Sequence, residues 1–232
     1  MLSPARRHFI RASAAKSSAH VQKGKQQTGE QYELMAAAMW EARQTLKNIK
    51  SIEAKINKKR ELLPQFVPYL KGVLEAGNGA QDDVLLTCMV WCFDIGDLDG
   101  GLDIAEYAIK HNLQTPDRYS RDTASLVAEQ VAEQALQLLA GASDENRKDL
   151  ADALIPELFR TLKLTDGADM HDQISAKLHK ATGYVLREIG ETENAISMLQ
   201  RALKLNDRVG VKKDIENLER QLKKEREQQN AG

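Results

Sequence analysis

The chain has 232 residues, of which 42% are hydrophobic and 29% charged, long enough for one large or two small domains with proper cores. No run approaches the ~20 apolar residues of a membrane-spanning helix, which excludes such a segment. The formal net charge of −1 hides a split: residues 1–60 hold thirteen Lys and Arg against four Glu, and the remainder holds twenty against thirty Asp and Glu. A basic front ahead of an acidic body is the electrostatic footprint of a nucleic-acid or acidic-surface binder, and it equally suits head-to-tail contact between copies.

With five Pro and fourteen Gly among abundant Ala, Leu, Glu, Lys and Gln, the composition predicts an all-α fold. Ser3-Pro4 opens a short helix over residues 4–15, Ser as cap and Pro in the first turn. Arg6, Arg7, Arg11, Lys16, Lys23 and Lys25 lie in a stretch without a single acid up to residue 29. SSAHVQKGKQQTGEQ offers little to bury and reads as a flexible linker, so residues 1–29 form a basic, partly flexible arm. The opening is also basic and Ser/Ala-rich in the manner of a transit peptide, and it lacks the apolar stretch of a secretory signal.

Residues 30–62 read as one long amphipathic helix of about 50 Å. Met35, Met39, Ala42, Leu46, Ile49 and Ile56 recur at three- and four-residue spacings on one stripe. Arg43, Lys47, Lys50, Lys55, Lys58 and Lys59 occupy the other side. Such a helix is too thin to bury its own stripe, which must pack on the body or on a second copy. Met35, Met39, Leu46, Ile49 and Ile56 are therefore candidate oligomerisation residues, and Arg43, Lys47 and Lys50 candidate phosphate contacts.

Residues 63–206 break into shorter helices and form the helical body. WCFDIGDLDGGLDIAEYAIKHN, from Trp91, aligns with VLREIGETENAISMLQRALKLN, from Val185, at an offset of 94. In both, a helix ends in Gly, an acidic turn follows, and a second helix brings small and aliphatic residues back; the pattern is similar to a tetratricopeptide hairpin. Residues 207–232 form a C-terminal helix and a frayed tail. Val211, Ile215, Leu218 and Leu222 are spaced like the seam of a coiled coil between subunits.

Few residues suggest chemistry. There is no Gly-rich loop followed by Lys and Ser/Thr, so a Walker A nucleotide site is excluded. Asp82 and Asp83, and the run Asp94, Asp97, Asp99 and Asp103, are the candidate carboxylates for a metal-dependent nuclease. Helix opening and turn formation explain both. Cys88 and Cys92 lie one turn apart among apolar neighbours, with no further Cys to complete a metal site. His171 and His179 are eight residues apart without an HExxH pattern. No cofactor or metal is expected.

The opening SPARRHFIRASAA, the long block from KKRELLPQFVPYL through DIAEYAIKHNLQTP, and DGADMHDQISAKLHKATGYVLREIG with GVKKDIENLERQLKKE resemble the small terminase subunit of peduoviruses, the P-two-like tailed phages. The likeness runs in order over nearly the whole chain; some members continue into a Lys/Arg-rich extension where this chain has QQNAG. The resemblance implies a ring-shaped homo-oligomer in the cytoplasm of a bacterial host. It would bind the packaging site on concatemeric double-stranded DNA and present it to a large subunit holding the ATPase and nuclease. Proteins of this kind are often labelled the endonuclease subunit, a label the carboxylates above do not support. A non-catalytic DNA-recognition protein is thus the favoured expectation. A metal-dependent endonuclease and a helical-repeat protein-binding adaptor are the alternatives.

Overall fold

The computed structural model describes residues 3–116 and 121–230, with side chains up to Gln228, and the described residues form an all-α fold of eleven helices. They belong to two compact units, Met1–Thr123 and Ala124–Gly232. The expected body over 63–206 is thus divided, and the basic front shares a unit with the acidic helices that follow it. The end of the tail expected to fray, residues 231–232, lies outside the described residues.

In the first unit, α1 (Pro4–His20) is longer than the predicted 4–15 and buries Ile10, Ala14 and Ser18. Its partner is α4 (Val67–Ala76). Their approach is set by Gly72: a methyl group there would collide with the Arg11 carbonyl oxygen and stand 2.8 Å from the Ala14 Cβ. The linker expected to be flexible is tied down as well. Gly24 N–H donates to the Gly79 carbonyl (3.0 Å), Gln27 N–H to that of Gln81 (2.8 Å), and Gln81 N–H to that of Lys25 (2.8 Å). A polar segment with little to bury is held here through its backbone.

The single helix expected over 30–62 is two helices, α2 (Glu30–Lys47) and α3 (Ile52–Leu62). Asn48 closes the first, and the Ser51 hydroxyl accepts the Ala54 N–H at 3.2 Å to open the second. Asn and Ser offer the backbone such local alternatives to continued helix. The apolar stripe meets its partner within the chain. Met39, Ala42 and Leu46 are buried, and Met35, Ile49 and Ile56 are half-buried. Of the residues expected to serve assembly, Met39 and Leu46 are thus taken up by the core of this unit, and Met35, Ile49 and Ile56 remain partly exposed.

That core centres on α5 (Asp83–Ile95), in which every residue from Val84 to Phe93 is buried. Phe66 meets Trp91 edge-on at 6.2 Å between ring centres. Asp82 is fully buried at the helix start. It accepts the Leu85 N–H at 2.9 Å and the Tyr69 hydroxyl at 2.5 Å, and burial pushes its carboxyl up to about 6. At the far end, Gly96 takes φ +87°, and Asp97 N–H reaches back to the Cys92 carbonyl (2.9 Å) before α6 (Leu98–Lys110).

The second unit contains α7 (Thr123–Gly141), α8 (Asp144–Leu164), α9 (Asp172–Glu188), α10 (Thr192–Leu205) and α11 (Lys212–Asn230). The α9–α10 turn repeats that of α5–α6: Gly190 takes φ +88°, and Glu191 N–H reaches the Leu186 carbonyl at 3.0 Å. The positive φ explains a Gly at each position, since other residues are strained there. Val211, Ile215 and Leu218, expected in an intersubunit seam, pack instead on Leu186, Ala195, Ile196 and Leu199 of the same unit. A hydrophobic stripe shows that a helix face is covered, and here α9 and α10 cover it.

Asp82 predicts a pH signature. Its folded carboxyl titrates near 6, above its ordinary 3.8, so the fold binds this proton more tightly than the unfolded chain. The stability it contributes is fully present below about pH 4 and is lost as pH rises through 6. In urea melts, the wild type should lose on the order of 2–3 kcal/mol between pH 4 and 7 relative to Asp82→Asn, which retains a capping oxygen. Asp82→Ala should lose about 2–4 kcal/mol, from the missing cap and the unpaired Tyr69 hydroxyl.

Candidate nucleic-acid interface

Because α1 buries Ile10, Ala14 and Ser18, helical geometry turns Arg6, Arg7 and Lys16 outward, and all three are exposed. Arg11 is turned differently. Its guanidinium forks onto the Glu75 carboxylate, with Nε to Oε2 at 2.8 Å; the pair holds Glu75 below the usual carboxylate range and raises Arg11. Arg11 is thus paired across to α4 and is not a free cation. Lys23 and Lys25 are exposed on the segment hydrogen-bonded to Gly79 and Gln81, so their backbone is fixed.

Arg43 and Lys47 are exposed on α2, and Lys50 is exposed in the turn beyond it. Two further cations, on α3, are engaged by α5. Lys59 meets Asp94 of α5 at 2.5 Å, and Arg60 donates to the Ile95 carbonyl at 3.1 Å. These contacts explain part of the charge split, since residues 61–123 hold four Lys and Arg against eleven Asp and Glu. The basic helices lie on their own acidic partners. Among the described residues Arg6, Lys16, Lys23, Lys25, Arg43, Lys47 and Lys50 form no ion pair.

An apolar groove of about 580 Å³ runs beside these cations, lined by Phe9, Ile10, Leu34, Met35 and Ala38 with Arg6 at its rim. Phe9 is 65% exposed and Leu34 56%; Trp40, elsewhere on α2, is 61% exposed. Sequence reasoning passed over all three. The available signal for Leu34 and Trp40 was their position off the Met35–Met39–Leu46 stripe of α2, and for Phe9 a large apolar side chain in the basic stretch of α1.

The carboxylates considered for nuclease chemistry are dispersed. Asp82 caps α5 from within the core, Asp83 is exposed beside it, Asp94 holds Lys59, and Asp97 caps α6 by accepting the Gly100 N–H at 3.0 Å. Among the described residues no three His, Cys, Asp or Glu side chains converge as metal ligands. Cys88 and Cys92 are buried, and burial pushes both thiols up, which suits packing rather than nucleophilic attack. His171 is exposed ahead of α9. His179 is half-buried in a groove with Phe159, Met198 and Arg201, where burial and then Arg201 hold its pKa down.

Exposed cations without acidic partners, carried on a backbone fixed by the fold, give this face a positive charge that would attract a polyanion. Residues 36–173 match the family described as phage small terminase subunit, and the chain belongs to that family. It is 44% identical over 230 residues to the "Terminase, endonuclease subunit" of Escherichia phage P2, covering 99% of this chain and 89% of that protein. It is 28% identical over 204 residues to the "Probable terminase, endonuclease subunit" of Haemophilus phage HP1, covering 81% and 69% respectively. No solved structure matches. Among the described residues no helix is long and apolar enough to cross a membrane.

The docking of α1 has a direct test. Gly72→Val inserts a branched side chain against the Arg11 backbone and should lower stability by about 1–3 kcal/mol. It should also open α1 to trypsin at Arg6, Arg7, Arg11 and Lys16. Glu75→Ala removes only an exposed ion pair and should leave the helix resistant under the same digestion.

Proposed function

We propose that this small terminase subunit recognises double-stranded phage DNA with the basic layer of its first unit. In this reading it assembles with copies of itself and delivers DNA to the large ATPase and nuclease subunit in the host cytoplasm. The observation that carries the reading is the set of unpaired, exposed cations Arg6, Lys16, Lys23 and Lys25 on a docked backbone. Phosphate contacts of this kind supply affinity and register, whereas sequence choice requires base contacts. Self-assembly is supported by the exposed Phe9 and Leu34, which line the α1–α2 groove together with the half-buried stripe residue Met35. Weak arms on several subunits would then act together through high local concentration.

The relatives' names favour one second reading, intrinsic endonuclease activity. It requires purified chain to cut DNA with magnesium or manganese in the absence of the large subunit, and Asp83→Asn or Asp97→Asn to stop the cut.

The main reading is tested by duplex binding at several salt concentrations. Replacing Arg6, Lys16, Lys23 and Lys25 together with Ala should flatten the slope of log affinity against log salt by about 3–4. Arg11→Ala, whose charge is already paired with Glu75, should change the slope by less than one such step. An unchanged slope in the fourfold variant contradicts the reading.

A further inference from the structure

On α2, Trp40 is an exposed aromatic side chain with cations at helical spacing beside it. Its helix is anchored through Met39, Ala42 and Leu46, all buried, while the indole remains 61% exposed. Residues three and four apart along a helix are surface neighbours. Around Trp40 these are Ala36 and Ala37 on one side and Arg43 and Gln44 on the other, with Lys47 a turn further and Lys50 in the following turn. Arg43, Lys47 and Lys50 form no ion pair among the described residues. The acids of this helix are Glu30 and Glu33 in its first turn and Glu41, adjacent to Trp40. The cations therefore gather between the indole and the end of α2.

From this arrangement we propose that Trp40, Arg43 and Lys47 form a binding site for single-stranded DNA, in which an unpaired base stacks on the indole and the flanking cations hold its phosphates. The site extends the DNA-binding reading above to a second form of the polymer. Two features favour a nucleotide over a protein partner. A peptide anchor needs a pocket walled by further apolar side chains, and on its own helix the neighbours of Trp40 are two alanines, a glutamine and Arg43. A base needs only one open π-face and nearby positive charge, both of which this surface provides. In an intact duplex the base faces are covered by stacking, so the site selects ends, gaps or melted segments.

The protein supplies its own reporter. Its other tryptophan, Trp91, is 3% exposed and packed against Phe66, so quenching by added DNA reports on Trp40. An oligo(dT) about twelve nucleotides long should quench the emission, and a blunt duplex of equal length should not. With labelled oligo(dT) followed by anisotropy, Trp40→Ala should weaken binding about 5- to 50-fold. Trp40→Phe should fall between, and Arg43→Ala with Lys47→Ala should lower the salt dependence. Duplex affinity of the Trp40 variants should stay within about twofold, because the duplex is assigned to the cations of α1 and the turn after it. Unchanged emission with oligo(dT), or wild-type oligo(dT) affinity in Trp40→Ala, overturns the proposal. So does a Trp40→Ala variant whose only defect is self-association or binding of the large subunit, since the face is then a protein interface. Loss of duplex binding in the α1 variants with oligo(dT) quenching intact would separate the two readings.

Discussion

The first unit depends on one close approach, the backbone of α1 against Gly72 of α4. The α1 backbone and the small Ala14 methyl group stand at the crossing, so Ile10, Ala14 and Ser18 reach the core while Arg6, Arg7 and Lys16 face outward. The orientation of Arg6, Arg7 and Lys16 follows from that packing. It also changes the energetics expected of a basic arm. A mobile arm loses conformational entropy when it binds, whereas a docked helix has met that cost during folding.

A second set of contacts extends the same rigidity to Lys23 and Lys25. The loop from Gly79 to Asp82 bonds outward to Gly24, Lys25 and Gln27, and inward to Tyr107 and Tyr69. Asp82 is the costly member of this loop, a carboxyl held in the core with its proton bound more tightly than usual. The charge split is thereby resolved into local geometry. Arg11 and Lys59 are spent on Glu75 and Asp94 inside the unit, and the remaining cations form the outer layer.

Much of this was legible in residues. Ser3-Pro4 announced the start of α1, and the Gly96 and Gly190 turns were visible as an internal match because both positions require a left-handed backbone. The extent of α1 and its docking were not legible, since the contact that fixes them is made to a residue with no side chain. The break at 48–51 was hidden by an apolar period that runs through it, while Asn48 and Ser51 are weak signals singly. Periodicity also could not say what covers a stripe: Met39, Leu46, Ile215 and Leu218 meet partners in their own unit, not in a second copy. On the proposed binding surface, the cations were visible in the sequence as a charge run, whereas the exposed aromatics were not, because Phe9 and Trp40 belong to no stripe.

These elements describe a small terminase subunit whose exposed basic charge is presented by structure already formed, and on the proposed reading that holds before DNA arrives. Native-state hydrogen exchange over residues 4–20 tests that claim most directly. The account predicts that the amides around Ile10, Ala14 and Ser18 are protected to nearly the degree of those in α4, without DNA. Exchange throughout α1 at the rate of an unfolded chain, with α4 and α5 protected, would contradict it.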